Sequence, residues 1–505
     1  QLRDNESLPV NKSREFRELI RNMKTVEDSD FEVPDAFRKI LREYQKKGYL
    51  WLATLCSNGF GGILADDMGL GKTLQVIVFL YDHYIVQGEN NRNTLIVCPA
   101  SLVYNWAQEC QHFAPELPVC TVAGTAAERR ELLDSLPDHP GQILITSYDL
   151  LRRDIEQYQN LTFDYQIIDE AQFIKNATTK AAQAVKQINS RFRLALTGTP
   201  VENRLGELWS IFDYLMPGYL FSYSRFREEL ELPIIQQQDE DALHRIQKMI
   251  APFILRRLKK DVLKDLPEKL EKNMHAKMTG EQQDLYQAHI QRLQILLSKQ
   301  SPEEFDRSRI QILSELTKLR QLCCDPALLY EKYTSGSAKL DLCLELIRNA
   351  MESGHKMLVF SQFTTMLDRI AERLQKEHIP YFMLTGATTK QERIRLVTEF
   401  NQDETPVFLI SLKAGGTGLN LTAADIVIHF DPWWNTAVQN QATDRVHRIG
   451  QTNRVLVYKL IAQNSIEENI VKLQEQKAEL AEQILDGDNI GTPFFSREEL
   501  LELLQ

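Results

Sequence analysis

The sequence predicts an α/β protein of two tandem lobes, each a parallel sheet with flanking helices. Three observations carry that expectation. Short β-rich runs alternate with amphipathic segments over two separate stretches, the pattern of strands joined by crossover helices. A glycine-rich turn ending in Gly-Lys-Thr follows the first run, and an Asp-Glu pair follows a later one in the same stretch. The 505 residues are 43% hydrophobic and 26% charged, enough for two or three domains with their own cores.

In the first stretch, about 34–217, the strand candidates are 62–64, 94–98, 142–146, 165–168 and 193–196. In the second, about 339–461, they are 356–360, 381–384, 407–410, 426–430 and 455–459. Between the two, segments such as 281–298 and 308–322 place apolar residues at helical spacing, and Pro267 marks 264–273 as a break between helices. The expected organisation is a flanking segment 1–33, a first lobe 34–220, and helical insertions with a basic connector over 221–335. A second lobe 336–465 and a C-terminal helical brace 466–505 complete it.

Composition narrows the function classes. No apolar run of about 18 residues occurs, so no membrane-spanning helix is expected. Seven cysteines form no CxxC pair, which argues against a zinc site or disulfide framework and for a reducing compartment. A net charge of −11 excludes a protein coated in positive charge but leaves room for one basic groove. The chain begins at Gln1 without an apolar leader and reads as part of a longer protein.

The run 63–73, ILADDMGLGKT, is a strand entering a P-loop. Glycines let the backbone of Asp66, Asp67, Met68, Gly69, Leu70 and Gly71 wrap a phosphate. Helix-terminal amides point at that phosphate, Lys72 reaches the β- and γ-phosphates, and the Thr73 hydroxyl ligates Mg²⁺. Asp66 stands where the generic pattern has glycine. Downstream, Asp169-Glu170-Ala171-Gln172 closes an apolar strand. Asp169 suits Mg²⁺, and Glu170 suits orienting and deprotonating an attacking water. ATP and Mg²⁺ are therefore the expected ligands.

At this point the chain resembles the Swi/Snf-type, chromatin-remodeller-like ATPases of helicase superfamily two, over about 37–485. The blocks that carry the resemblance are LREYQKKGYLWL at 41–52, TGTPVENRLGELWSIFDYLM at 197–216 and FILRRLKKDVLKDLPEK at 253–269. KMLVFSQFTTML at 356–367, ISLKAGGTGLNL at 410–421 and QATDRVHRIGQ at 441–451 complete the set. The resemblance implies RecA-like lobes of P-loop NTPase type, with Gln45 reading adenine and Gly418 in the nucleotide site. It implies that Arg445 and Arg448 reach across the cleft to the γ-phosphate as arginine fingers. The DEAQ spelling and the lack of a long insertion between lobes resemble the compact bacterial branch, whose members often carry a preceding zinc module.

By the same resemblance, duplex DNA crosses both lobes. Ser101, Trp106, Ser147, Asn203 and Arg204 would contact it from the first lobe. Ser361, Gln362, Lys413, Gly415, Gly416, Thr417 and Trp434 would do so from the second. Small hydroxyl, amide and glycine positions at strand ends suit phosphate contacts from backbone N–H groups, which carry no base information. The basic run Arg256, Arg257, Lys259 and Lys260 reads either as a solvated helix face or as a regulatory arm touching the second lobe.

The expected activity is ATP-driven translocation on double-stranded DNA without strand separation, by a monomeric motor acting on a DNA-bound protein. The expected setting is the bacterial cytoplasm, or the nucleus in a eukaryote. A strand-separating or RNA-remodelling ATPase, and a non-hydrolysing nucleic-acid scaffold, are the competing readings.

Overall fold

The structure, a computed structural model, describes residues 31–472 except 90, 199–204, 238, 264–268, 299–301, 416–419, 434–435, 449–450 and 452. The first sheet contains β1 (Gly62–Leu64), β2 (Asn93–Cys98), β3 (Val119–Thr121), β4 (Ile143–Ser147), β5 (Thr162–Asp169), β6 (Asn189–Leu196) and β7 (Ile254–Leu255). Their order is β3-β4-β2-β5-β6-β1-β7, with every neighbouring pair parallel. The second sheet contains β8 (Lys269–Ala276), β9 (Met357–Ser361), β10 (Tyr381–Leu384), β11 (Val407–Ser411), β12 (Ile426–His429) and β13 (Val455–Ala462). It is likewise parallel, in the order β10-β11-β9-β12-β13-β8. The expected pair of α/β lobes is present.

Helices cover both faces of each sheet, which explains how the inner strands read. β1, β2, β4, β9, β11 and β12 are buried at every position, so they appear as short continuous apolar runs rather than alternating ones. The expected strands all form. Three others do not stand out in the sequence: β3, β7 and β8. All three lie at sheet edges. An edge strand faces solvent on one side and can carry charge, as KLEKNMHA does at β8.

Two of those edges correct the expected organisation. β7 pairs with β1 and β8 pairs with β13, so the expected helical region 221–335 is divided between the lobes. Phe226, Leu230, Leu243, Ile246 and Phe253 pack into the first lobe's core. Helices Gly280–Ser298 and Pro302–Cys324 form a hairpin whose core includes Tyr286, Leu293, Leu319, Ala462, Ile466 and Ile470, on the second lobe. The expected break at 264–273 is strand from Lys269 onward. The chain therefore crosses from sheet to sheet between Leu255 and Lys269. The C-terminal brace lies outside the described residues from 473 on. No helix among the described residues is long and apolar enough to cross a membrane.

One buried ion pair closes the second lobe. Lys339 Nζ lies 2.8 Å from both carboxylate oxygens of Glu467, and both residues are fully buried. Glu467 also accepts from the Ala462 amide at 2.8 Å. Removing one partner strands the other's charge away from water. Lys339→Met is expected to destabilise the protein by about 3–5 kcal/mol, read as a lower urea midpoint for the second lobe. An unchanged midpoint would show that the pair contributes nothing.

Candidate active site

The P-loop leaves β1 and enters the helix Lys72–Tyr81. Gly69 and Gly71 have φ of 83° and 75°, a region that side-chain-bearing residues rarely adopt. A Cβ on Gly71 would also sit 2.5 Å from Gln45 Nε2. Lys72 Nζ donates to the carbonyls of Asp66 at 2.6 Å and Asp67 at 3.4 Å, folding the ammonium across the loop. Thr73 is partly buried in the first helical turn.

The side chains of Asp66 and Gln45 are both engaged by protein. Asp66 is fully buried, and its carboxylate is held by Arg257, whose Nε donates at 2.8 Å and whose terminal nitrogen also bonds it. Gln75 Nε2 adds a third donor at 3.1 Å. The Asp66 side chain thus anchors the connector. Leu70 is also fully buried, and its carbonyl accepts from Tyr44 Oη at 3.0 Å and Gln45 Nε2 at 3.1 Å. Gln45 Oε1 accepts from the Arg42 amide at 3.0 Å. Both ends of the expected adenine reader are committed to backbone. Asp67 Oδ2 accepts from the Lys259 amide at 2.9 Å, and Met68 packs beside Gly198.

The acidic pair ends β5. Glu170 has φ 52°, a left-handed conformation that costs a non-glycine residue about 1–3 kcal/mol and clusters at functional sites. Asp169 Oδ2 accepts from Trp106 Nε1 at 2.9 Å, and its Oδ1 accepts from the Glu170 amide at 2.8 Å. Tyr148 Oη donates to the Asp169 carbonyl at 2.8 Å. Burial, then the neighbouring Glu170 charge, pushes the Asp169 carboxyl up to about 6. A divalent cation beside this carboxyl would relieve both causes.

Glu170 is gripped from two sides. Its Oε2 accepts from Gln172 Nε2 at 2.8 Å, and Gln172 Oε1 accepts from Thr197 Oγ1 at 3.0 Å. Its Oε1 accepts from Gln441 Nε2 at 3.2 Å, across the cleft from the second lobe. Gln441 lies on the helix Thr436–Thr443, and the turn after it carries both arginines. Burial and the Arg448 charge bring the Arg445 guanidinium down to about 10, while Glu170, Asp444 and Asp169 oppose the shift. Arg448 packs on the P-loop, its Cγ 3.4 Å from where a Gly69 Cβ would be. Burial lowers its pKa against the pull of Glu109 and Asp444. Lys72, Asp169, Glu170, Arg445 and Arg448 therefore share one cleft between the lobes. That set can bind a triphosphate, orient a water and neutralise charge developing on a transferred phosphoryl group.

The expected DNA contacts fare differently. Trp106 is 1% exposed and is committed to Asp169. Ser147 is buried and caps the helix Tyr148–Arg153 by accepting from the Leu150 amide. Ser361 is buried, donating to Asp431 Oδ1 at 2.6 Å, and the Gln362 amide donates to the same oxygen at 3.2 Å. These side chains shape strand ends from within, which leaves only their backbone groups for the expected phosphate contacts. Ser101 Oγ is enclosed without a hydrogen-bond partner. Lys413 and Gly415 lie on the helix Leu412–Gly415, with their side chains outside the described part. Asn203, Arg204, Gly416, Thr417, Gly418 and Trp434 lie outside the described residues.

The sequence reading missed Gln172, Thr197 and Gln441 as site residues. Each stood inside a recognised block, but a glutamine or threonine has no chemistry of its own to single it out.

The family description "SNF2-related domain" matches residues 44–328, and "helicase conserved C-terminal domain" matches 338–450. An uncharacterized ATP-dependent helicase of Mycoplasma pneumoniae is 40% identical over 497 residues, covering 96% of this chain and 46% of that protein. YwqA of Bacillus subtilis, described as an ATP-dependent helicase/translocase, is 41% identical over 502 residues, covering 97% of this chain and 54% of its own length. The TATA-binding protein-associated factor MOT1 of Saccharomyces cerevisiae is 34% identical over 566 residues, covering 99% and 30%. The chain spans about half the length of the bacterial relatives it matches. With more than half of its residues matched by the first description, this chain belongs to the SNF2-related family.

Proposed function

We propose that the chain hydrolyses ATP to drive itself along double-stranded DNA without separating the strands, and so displaces a protein bound there. The observation that carries this reading is the division of the site. Lys72, Asp169 and Glu170 come from the first lobe, whereas Gln441, Arg445 and Arg448 come from the second. Hydrolysis then requires the cleft to close. A ligand such as DNA that bridges both lobes favours closure by differential binding, without entering the chemistry.

In this scheme Lys72 and the P-loop amides bind the phosphates. Thr73 and Asp169 hold Mg²⁺, which when bound neutralises charge on the β- and γ-phosphoryl oxygens. Glu170 orients the attacking water once its amide partners yield to it. Arg445 and Arg448 stabilise the equatorial charge, a contribution typically worth about three to five powers of ten in rate. A DNA-bound protein as cargo is supported by the relatives described as a helicase/translocase and as a TATA-binding protein-associated factor. Monomeric action, and a cytoplasmic or nuclear setting, belong to the same proposal.

Lys72→Ala and Glu170→Gln should each abolish phosphate release while leaving thermal unfolding unchanged. Normal turnover in folded Glu170→Gln would remove the assignment of Glu170. Duplex DNA should stimulate turnover more than single strands or RNA, and ATP should drive displacement of a triplex-forming strand. Stimulation by single strands or RNA alone would favour the strand-separating or RNA-remodelling reading. If phosphates supply the contacts, duplex affinity should fall linearly on a log–log salt plot with little dependence on sequence.

A further inference from the structure

The segment joining the two sheets runs directly under the nucleotide cleft. Ala65 donates to the Leu255 carbonyl at 2.7 Å and Asp67 to the Arg257 carbonyl at 3.0 Å, so the connector extends the first sheet as far as the P-loop. Lys259 follows, and it is 8% exposed. Its amide holds Asp67 Oδ2 at 2.9 Å. Its ammonium leaves the first lobe, donating to Asp444 Oδ1 at 2.5 Å and to the His447 carbonyl at 2.8 Å. Those acceptors sit immediately before Arg445 and Arg448. The stem of Lys259 lines the P-loop, with Cε 3.6 Å from the position of a Gly69 Cβ, beside the stem of Arg448 at 3.4 Å from the same point.

We propose that Lys259 is a positioning residue for hydrolysis, docking the turn that carries Arg445 and Arg448 onto the phosphate loop. The inference rests on the two-lobe ATPase reading above. The physical case is one of geometry. A guanidinium stabilises phosphoryl transfer only where it is already placed when charge develops, and the placement of both arginines depends on where their turn is docked. Lys259 fixes that turn at two acceptors while its own backbone is fixed to the P-loop. Burial lowers the Lys259 pKa, and the Asp444 carboxylate, then Asp67, oppose the shift. The connector thus joins seating of the P-loop to placement of the fingers. The role differs from contact with nucleotide, because both polar ends of Lys259 are committed to protein.

Steady-state ATP turnover of the full chain with saturating duplex DNA, alongside fluorescent-nucleotide binding and thermal unfolding, tests this. Lys259→Met should lower DNA-stimulated kcat by about a hundredfold, as an angstrom-scale misplacement does, with KM for ATP and nucleotide affinity little changed. Lys259→Arg, which keeps charge and donors, should retain most of kcat. Asp444→Asn should lower kcat in the same direction, and combining it with Lys259→Met should add little, because the two act as a unit. Wild-type kcat in Lys259→Met, a loss confined to KM, or fully additive losses would each overturn the proposal. If Lys259→Met proves unstable, the Lys259→Arg and Asp444→Asn arms decide it by the same kcat readout. Arg448→Ala serves as the reference. Its expected loss of turnover, paired with normal Lys259→Met, would reject this inference alone, whereas wild-type turnover in Arg448→Ala would reject the two-lobe reading and this one together.

Discussion

A buried carboxylate beneath the phosphate loop, Asp66, constrains everything around it. Fully enclosed, it would cost several kcal/mol if left without a counter-charge. Its counter-charge is Arg257, 191 residues later, which also bonds the Tyr44 carbonyl and Gln75 Oε1. The loop therefore adopts this shape only with the connector in place as an edge strand. Phosphate loop, entry helix and interlobe crossing are one structure, and the lobes are joined beside the proposed catalytic cleft.

From that joint, the cleft is assembled by groups that have little reason to meet otherwise. The strained Glu170 is held by Gln172, itself fixed by the Thr197 hydroxyl, from its own lobe and by Gln441 from the other. Hydrogen bonds to a carboxylate are stronger than neutral ones and strengthen further away from water. Glu170 is thereby bonded to both lobes. Trp106 and Tyr148 meanwhile brace Asp169 from behind. Side chains that a surface reading would aim at DNA instead set the geometry of the acidic pair.

The second lobe repeats this logic at its own strand ends. Asp431, buried after β12, takes Ser361 Oγ and the Gln362 amide on one oxygen and Arg320 on the other at 3.3 Å. Arg320 comes from the helical hairpin, donates to the Pro432 carbonyl at 2.6 Å, and lies over the Trp433 ring at 5.2 Å. The hairpin is thus wired into the end of the sheet. Movement of the hairpin relative to the lobe would break a buried ion pair, so the two behave as one body.

The sequence by itself determined the lobes, the order of the motifs and, by residue type, Lys72, Asp169 and Glu170, whereas Arg445 and Arg448 came from the family resemblance. Inner strands of parallel sheets are buried on both faces and show as apolar runs, and glycines beside a lysine or carboxylates at a strand end announce phosphate chemistry through residue type alone. Only the tertiary structure decided how the region between the sheets divides, because β7 is two residues long and β8 is an edge strand whose exposed positions carry lysine and glutamate. It also decided that Asp66, Gln45, Trp106, Ser147 and Ser361 face inward to protein partners. An amide, hydroxyl or indole looks the same in sequence whether it meets a ligand or a distant backbone. Partners such as Arg257 for Asp66, Gln441 for Glu170 and Asp444 for Lys259 lie between 185 and 271 residues apart, and no local pattern encodes contacts at that range.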